Sequence, residues 1–148
     1  MIQKLKNQGD ILFSALNTTY EFLGEQGGEK MIKAWCEYIA VHGLWNGVVD
    51  AVKKDGLRGM KKFWDDFLRA EGMPKTSCKT EIIGDEFIMA ISKCHSQETV
   101  KHVGAKLYGN ACLHCVYICR KMAELIKYDV EIEYHPKKGS CVRRWKMK

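Results

Sequence analysis

Through the first seventy residues, apolar positions recur at the spacing of an α-helix. In "DILFSALNTTYEFLGEQGG" the stripe runs through Ile11, Leu12, Leu16, Tyr20 and Leu23, and the glycines at 24, 27 and 28 are expected to end it. "EKMIKAWCEYIAVHGLWNGVVDAVKKDG" predicts a long second helix over 29–56, with Ile32, Trp35, Cys36, Ile39, Leu44, Val48 and Val52 on or near one stripe. Gly43 and Gly47, four apart on that helix, leave room for another element to approach. "GLRGMKKFWDDFLRAEG" predicts a shorter third helix through Met60, Phe63, Trp64 and Phe67, and Pro74 closes the helical part.

Beyond "KTSCKT" the pattern changes. "EFIMAISKC" (86–94) is a compact apolar run with little polar alternation, the mark of a strand covered on both faces. "SQETVKHVG" predicts a short helix, and "KLYGNACLHCVYICRKMAELIKY" (106–128) a long one. "DVEIEYH" alternates with period two, "PKKGS" is a turn, and "CVRRWKMK" returns as the second strand of a hairpin. The chain therefore predicts a single α+β domain over 1–148. Helices in 1–74 pack on a small antiparallel sheet, and 75–148 supplies the strand, the long helix and a terminal hairpin.

Composition narrows the function classes. A chain of 148 residues, 46% apolar and 28% charged, has material for one hydrophobic core. No run approaches the roughly 18–20 apolar residues that span a bilayer, and none at the N-terminus resembles a signal peptide. A cytoplasmic protein without membrane contact is expected. Of the net charge of +6, all comes from 137–148, which holds six Lys and Arg and no acid. Charge confined to one chain end fits a solvated edge strand guarded by lysines. It does not fit the basic face of a specific nucleic-acid binder.

Seven cysteines is a high and odd count, which argues against a secreted disulfide framework. Three of them, Cys112, Cys115 and Cys119, fall in "GNACLHCVYICRKM" spaced C-x2-C-x3-C. On a helix all three share one arc with Val116, Met122, Ala123 and Ile126, and point to a core or a pocket. His114 points away from that arc, which removes it as a co-ligand. Core thiols, a redox pair, an iron–sulfur cluster and a metal site all remain open. A metal site needs about four ligands, and Cys94 at the end of the central strand, His135 at the turn and Cys141 at the start of the last strand are the candidates to join Cys112 and Cys115. Strand alternation turns Glu131 and Glu133 outward and leaves the carboxylate ligand unsupplied.

Residues 82–148 carry a pattern with relatives: "AISKCH" ending a strand, "LYGNACLHC" opening a helix, then a strand and "GSCVRRW". This resembles the small-molecule-binding domains of the 4-vinyl-reductase type. It is equally similar to the L-2-amino-thiazoline-4-carboxylate hydrolase-like proteins. The first resemblance implies a zinc site beside an enclosed pocket for a small apolar or aromatic ligand, with Cys112 or Cys115, Glu131 or Glu133, and Cys141 as ligands. The pocket would lie among Trp35, Trp45, Phe63, Trp64 and Phe67. His135 stands where the vinyl-reductase pattern has a cysteine. The second resemblance implies a thiol-dependent hydrolase of a small heterocycle with Cys94 or Cys115 as nucleophile, although the aspartate of that pattern is replaced by Val116 or Cys119. An iron–sulfur protein using Cys94, Cys112, Cys115 and Cys141 is the third alternative, and a homodimer is compatible with all three.

Overall fold

The computed structural model of the chain describes residues 8–109 and 111–148. The expected helices form but divide differently. The first, α1 (Gln8–His42), passes through the glycine cluster and only bends there, at Gly28, whose φ of 64° and ψ of −159° are open to glycine. The expected helix over 29–56 instead breaks at Gly43–Trp45. Here a turn closes with Gly43 N–H donating to Ile39 O at 2.8 Å and Asn46 N–H to Gly43 O at 3.1 Å. Then α2 (Asn46–Ala70) runs on through a second bend at Asp55–Gly56, where a separate third helix was expected. Gly47 does admit a close neighbour, since a Cβ there would lie 2.7 Å from the Phe63 ring.

The second half holds β1 (Cys78–Ile83), β2 (Glu86–Ile91), α3 (His95–His102), α4 (Cys112–Ile126), β3 (Tyr128–His135) and β4 (Ser140–Met147). These strands form one antiparallel sheet in the order β1-β2-β4-β3. Strand β1, "CKTEII", lacks apolar alternation and was not foreseen. It pairs with β2 across a tight turn at Gly84. The long helix starts at Cys112 rather than 106, and the segment before it is clamped to α1 by the buried Asn17. The Asn17 side chain donates to Lys106 O and accepts from Tyr108 N–H, both at 2.9 Å.

The helices cover one face of the sheet. In β2, Phe87, Met89 and Ile91 are buried while Ile88 and Ala90 are half-exposed, so this strand is covered on one side and not on both as expected. Three cross-strand rows make up the inner face: Cys78, Ile91, Cys141 and Tyr134; Thr80, Met89, Arg143 and Ile132; Ile82, Phe87, Trp145 and Val130. Trp145 anchors the core, with its ring centroid 5.5 Å from Phe87 and 6.3 Å from Trp64 of α2. The basic terminal segment is thus an interior strand, not the edge strand its charge suggested. Lys146 and Lys148 face outward to Asp85, Glu86 and Asp129. Arg143 faces in. No helix among the described residues is long and apolar enough to cross a membrane.

The α2 bend brings its second half back against its first, and a Cβ at the buried Gly59 would sit 2.0 Å from Ala51 O. Gly59→Ala should therefore lower stability in urea denaturation by about 1–3 kcal/mol through overpacking. Gly109→Ala, where a Cβ meets nothing within 4 Å, should change it by less than about 0.5 kcal/mol.

Candidate thiol site

Strand alternation puts Arg143 between Cys141 and Trp145 on the inner face, and the helices close over it until 7% of its surface remains exposed. A buried charge demands partners. Among the described residues Arg143 forms no ion pair with a carboxylate. Its neighbours are thiols: Nη1 donates to Cys119 Sγ at 3.7 Å, and its charge acts on Cys78, Cys115 and Cys141 as well. Burial alone would favour the neutral form. The surrounding sulfurs outweigh it and hold the guanidinium firmly cationic.

Because α4 begins at Cys112, the C-x2-C pair occupies its first turn, at the positive end of the helix dipole. His114 does not point away to solvent. The opposite side of α4 is covered by α1, and the imidazole stacks on buried Tyr20 with ring centroids 5.1 Å apart and planes at 13°. Its Nδ1 lies 2.6 Å from Ala111 O, and a carbonyl only accepts, so Nδ1 carries a proton. That fixes the tautomer and turns Nε2 to the Cys115 sulfur at 3.2 Å. One proton is shared between them. Burial would push the Cys115 thiol up, but Arg143 and His114, by charge and hydrogen bond, bring it down to about 6. His114 shifts up: burial opposes its charge, and the Cys115 sulfur and Ala111 carbonyl prevail. Both shifts favour the thiolate–imidazolium form of the pair over thiol and neutral imidazole.

Four of the five candidate ligands do converge. Cys94, Cys112, Cys115 and Cys141 line one cavity of about 30 Å³, together with Gln97, Tyr134 and Arg143. Cys94 caps α3, and its N–H donates to Gly139 O in the β3–β4 turn at 2.6 Å, which draws it to the hairpin. Buried Gln97 donates to Cys112 Sγ at 3.6 Å. His135 is not among them. It is exposed on the hairpin, 3.2 Å from Glu133, and Glu131 and Glu133 point outward as alternation required. The donor chemistry suits a thiophilic ion, yet among the described residues no group of three or more His, Cys, Asp or Glu side chains is arranged to hold one.

On its other side Cys115 opens to an apolar cavity of about 60 Å³ walled by Phe13, Trp45, Trp64, Phe67, Met89 and Ile118. Of the five aromatics expected around a pocket, Trp45, Trp64 and Phe67 line it; Trp35 and Phe63 do not. Two lining residues carry buried donors, Trp64 Nε1 and Arg143 Nε, that have no hydrogen-bond partner among the described residues. Arg143 and His114 are the residues of this cluster that sequence reasoning passed over. The signal for Arg143 was present: Cys141, Arg143 and Trp145 alternate in "CVRRW", so an inward Trp145 carries Arg143 inward with it.

Comparison with family models, with curated proteins and with solved structures finds no match to this chain.

Cys115 should be the one thiol that iodoacetamide labels quickly at pH 6.5, with a labelling midpoint near 6. Burial pushes Cys36 and Cys119 up to about 12 and Cys78 and Cys112 to about 11, so these stay protonated there. Peptide mapping of the labelled protein reads this directly. His114→Ala and Arg143→Met each remove a charge that lowers the Cys115 thiol and should move its midpoint upward. The linked stability has a definite sign: a thiolate favoured in the folded state stabilises fully above the ordinary thiol value, and that contribution fades as pH falls toward about 6.

Proposed function

We propose that the protein binds a small acid in the cavity between α2, α4 and the sheet, and acts on it through Cys115 as a thiol-dependent enzyme of the hydrolase type. The observation that carries this is Arg143, a buried cation beside the Cys115–His114 pair whose Nε–H has no partner, and which pairs with no carboxylate, among the described residues. A ligand carboxylate supplies the missing anion, and Trp64 Nε1 offers it or a neighbouring acceptor a second donor. With the acid so held, the Cys115 sulfur attacks an electrophilic carbon. A carbon–sulfur bond forms, the bond to the leaving group breaks, and His114 Nε2–H protonates that group as it departs. Water then cleaves the carbon–sulfur adduct and returns the thiol. At about 60 Å³ the cavity takes a compact acid, well below the roughly 300 Å³ at which drug-sized pockets begin. A heterocyclic acid requires the half-exposed Phe13, Leu68 and Met73 in its wall to move.

A second function is a thiolate metal centre, zinc or an iron–sulfur cluster, and it is supported by the four cysteines that share the smaller cavity. Elemental analysis and the visible spectrum of protein purified without air separate the two. Stoichiometric metal, lost from both Cys94→Ser and Cys141→Ser, assigns the site to metal, and colour assigns it to a cluster.

Titrating short carboxylic acids against tryptophan fluorescence tests the acid site, since Trp45 and Trp64 line it. Arg143→Met should weaken binding by roughly 10- to 100-fold, the worth of a charged hydrogen bond. Because Arg143 also favours the Cys115 thiolate, the same variant should melt lower than the parent at neutral pH, and that part of the deficit should shrink as pH falls toward about 6. A folded Arg143→Met or Arg143→Lys variant that binds acids as tightly as the parent removes Arg143 as the acid's partner.

A further inference from the structure

Cys112 is a second thiol on the same turn of α4, three residues before Cys115. It lines the 30 Å³ cavity that Cys115 also reaches, and both side chains are half-buried. Three residues along an α-helix separate Cα atoms by about 5 Å, inside the 4.4–6.8 Å that a disulfide spans. The first N–H groups of a helix have no intrahelical partner, so this turn can adjust to a cross-link without breaking the ladder. Cys119, fully buried in the helix interior, has no such freedom.

The two cavities that Cys115 lines are small, about 30 and 60 Å³. A water-sized molecule needs roughly 10–15 Å³ of such space, so a reagent of two or a few heavy atoms enters and a bulky disulfide does not. Beside that sulfur stand two donors suited to an oxyanion leaving group, the His114 Nε2 at 3.2 Å and the buried Arg143 guanidinium.

We propose that Cys115 reduces hydrogen peroxide or a short hydroperoxide and that Cys112 resolves the product as a Cys112–Cys115 disulfide. The inference rests on the reactive Cys115 of the proposed function, but needs no acid ligand. The sulfur attacks the nearer peroxide oxygen. A sulfur–oxygen bond forms, the oxygen–oxygen bond breaks, and the departing hydroxide takes the His114 Nε2 proton and leaves as water. Cys115, oxidised by two electrons, is then a sulfenic acid. The Cys112 sulfur attacks it, forming the disulfide while the hydroxyl departs with the Cys112 proton as a second water. Two thiols and one peroxide thus give one disulfide and two waters. An external dithiol restores both cysteines by exchange.

The test adds one equivalent of hydrogen peroxide to the full chain, purified without air and free of added acids. The expected result is loss of two thiols and a disulfide that peptide mapping places between Cys112 and Cys115. The rate at pH 7 should exceed that of free cysteine by more than the roughly 30-fold that thiolate fraction alone supplies. In Cys112→Ser the reaction should stop at a sulfenic acid that dimedone traps on Cys115, and Arg143→Met should slow the first step at least tenfold. A rate no faster than that of free cysteine overturns the proposal, as does oxidation of Cys94 or Cys141 with Cys115 spared. A disulfide from Cys115 to Cys119 or Cys141 overturns the role of Cys112. Peroxide reduction without acid binding leaves this inference standing and removes the acid-site proposal, and acid binding without peroxide reduction does the reverse.

Discussion

A buried guanidinium that pairs with no carboxylate among the described residues is the constraint around which this molecule is arranged. Arg143 sits on the inner face of the sheet, between the Cys141 and Trp145 rows, under two helices. Only 7% of its surface is exposed and among the described residues no Asp or Glu pairs with it, so its anionic neighbours are sulfurs. Cysteine is the one side chain in this core that is small and apolar when protonated and an anion when it is not. The clustering of Cys78, Cys115, Cys119 and Cys141 around one cation makes electrostatic sense of a cysteine count that composition could not explain.

The same cation separates the thiols into two kinds. Burial raises nearly all of those whose acidity moves, and they behave as small hydrophobic residues. Cys115 alone comes down among them, because it has both Arg143 and the hydrogen-bonded His114 as neighbours. That partner is held in turn. Ala111 O fixes its tautomer and Tyr20 its ring plane, so α1, far away in sequence, determines which nitrogen meets the sulfur. Reactivity is thus an outcome of three elements meeting, not of the C-x2-C spacing by itself.

Core and site share their parts to an unusual degree. Trp64 packs near Trp145 and also lines the cavity, its indole N–H without a partner among the described residues. Arg143 fills a row position that an aliphatic residue would fill more cheaply. Arg143 thus places a charge beside a thiol on the inner face, next to the buried row that holds Phe87 and Trp145.

From the sequence alone came the α+β class, the long cysteine-bearing helix, the terminal hairpin, and the grouping of Cys94, Cys112, Cys115 and Cys141. These follow from local periodicity and from spacings that hold wherever an element packs. The same rules turned Glu131 and Glu133 outward and could have turned Arg143 inward, had its charge not suggested an edge. Three matters needed the tertiary structure. Whether Gly28 stops a helix or only bends it depends on what the two halves pack against. Strand β1 forms because β2 offers it a hydrogen-bonding edge, not because its own pattern demands it. His114 faces solvent on an isolated helix and Cys115 in the fold, because a helix wheel knows one covered side and α1 supplies a second. Local sequence sets each element's faces, and only the neighbours brought from elsewhere in the chain decide which of those faces are buried.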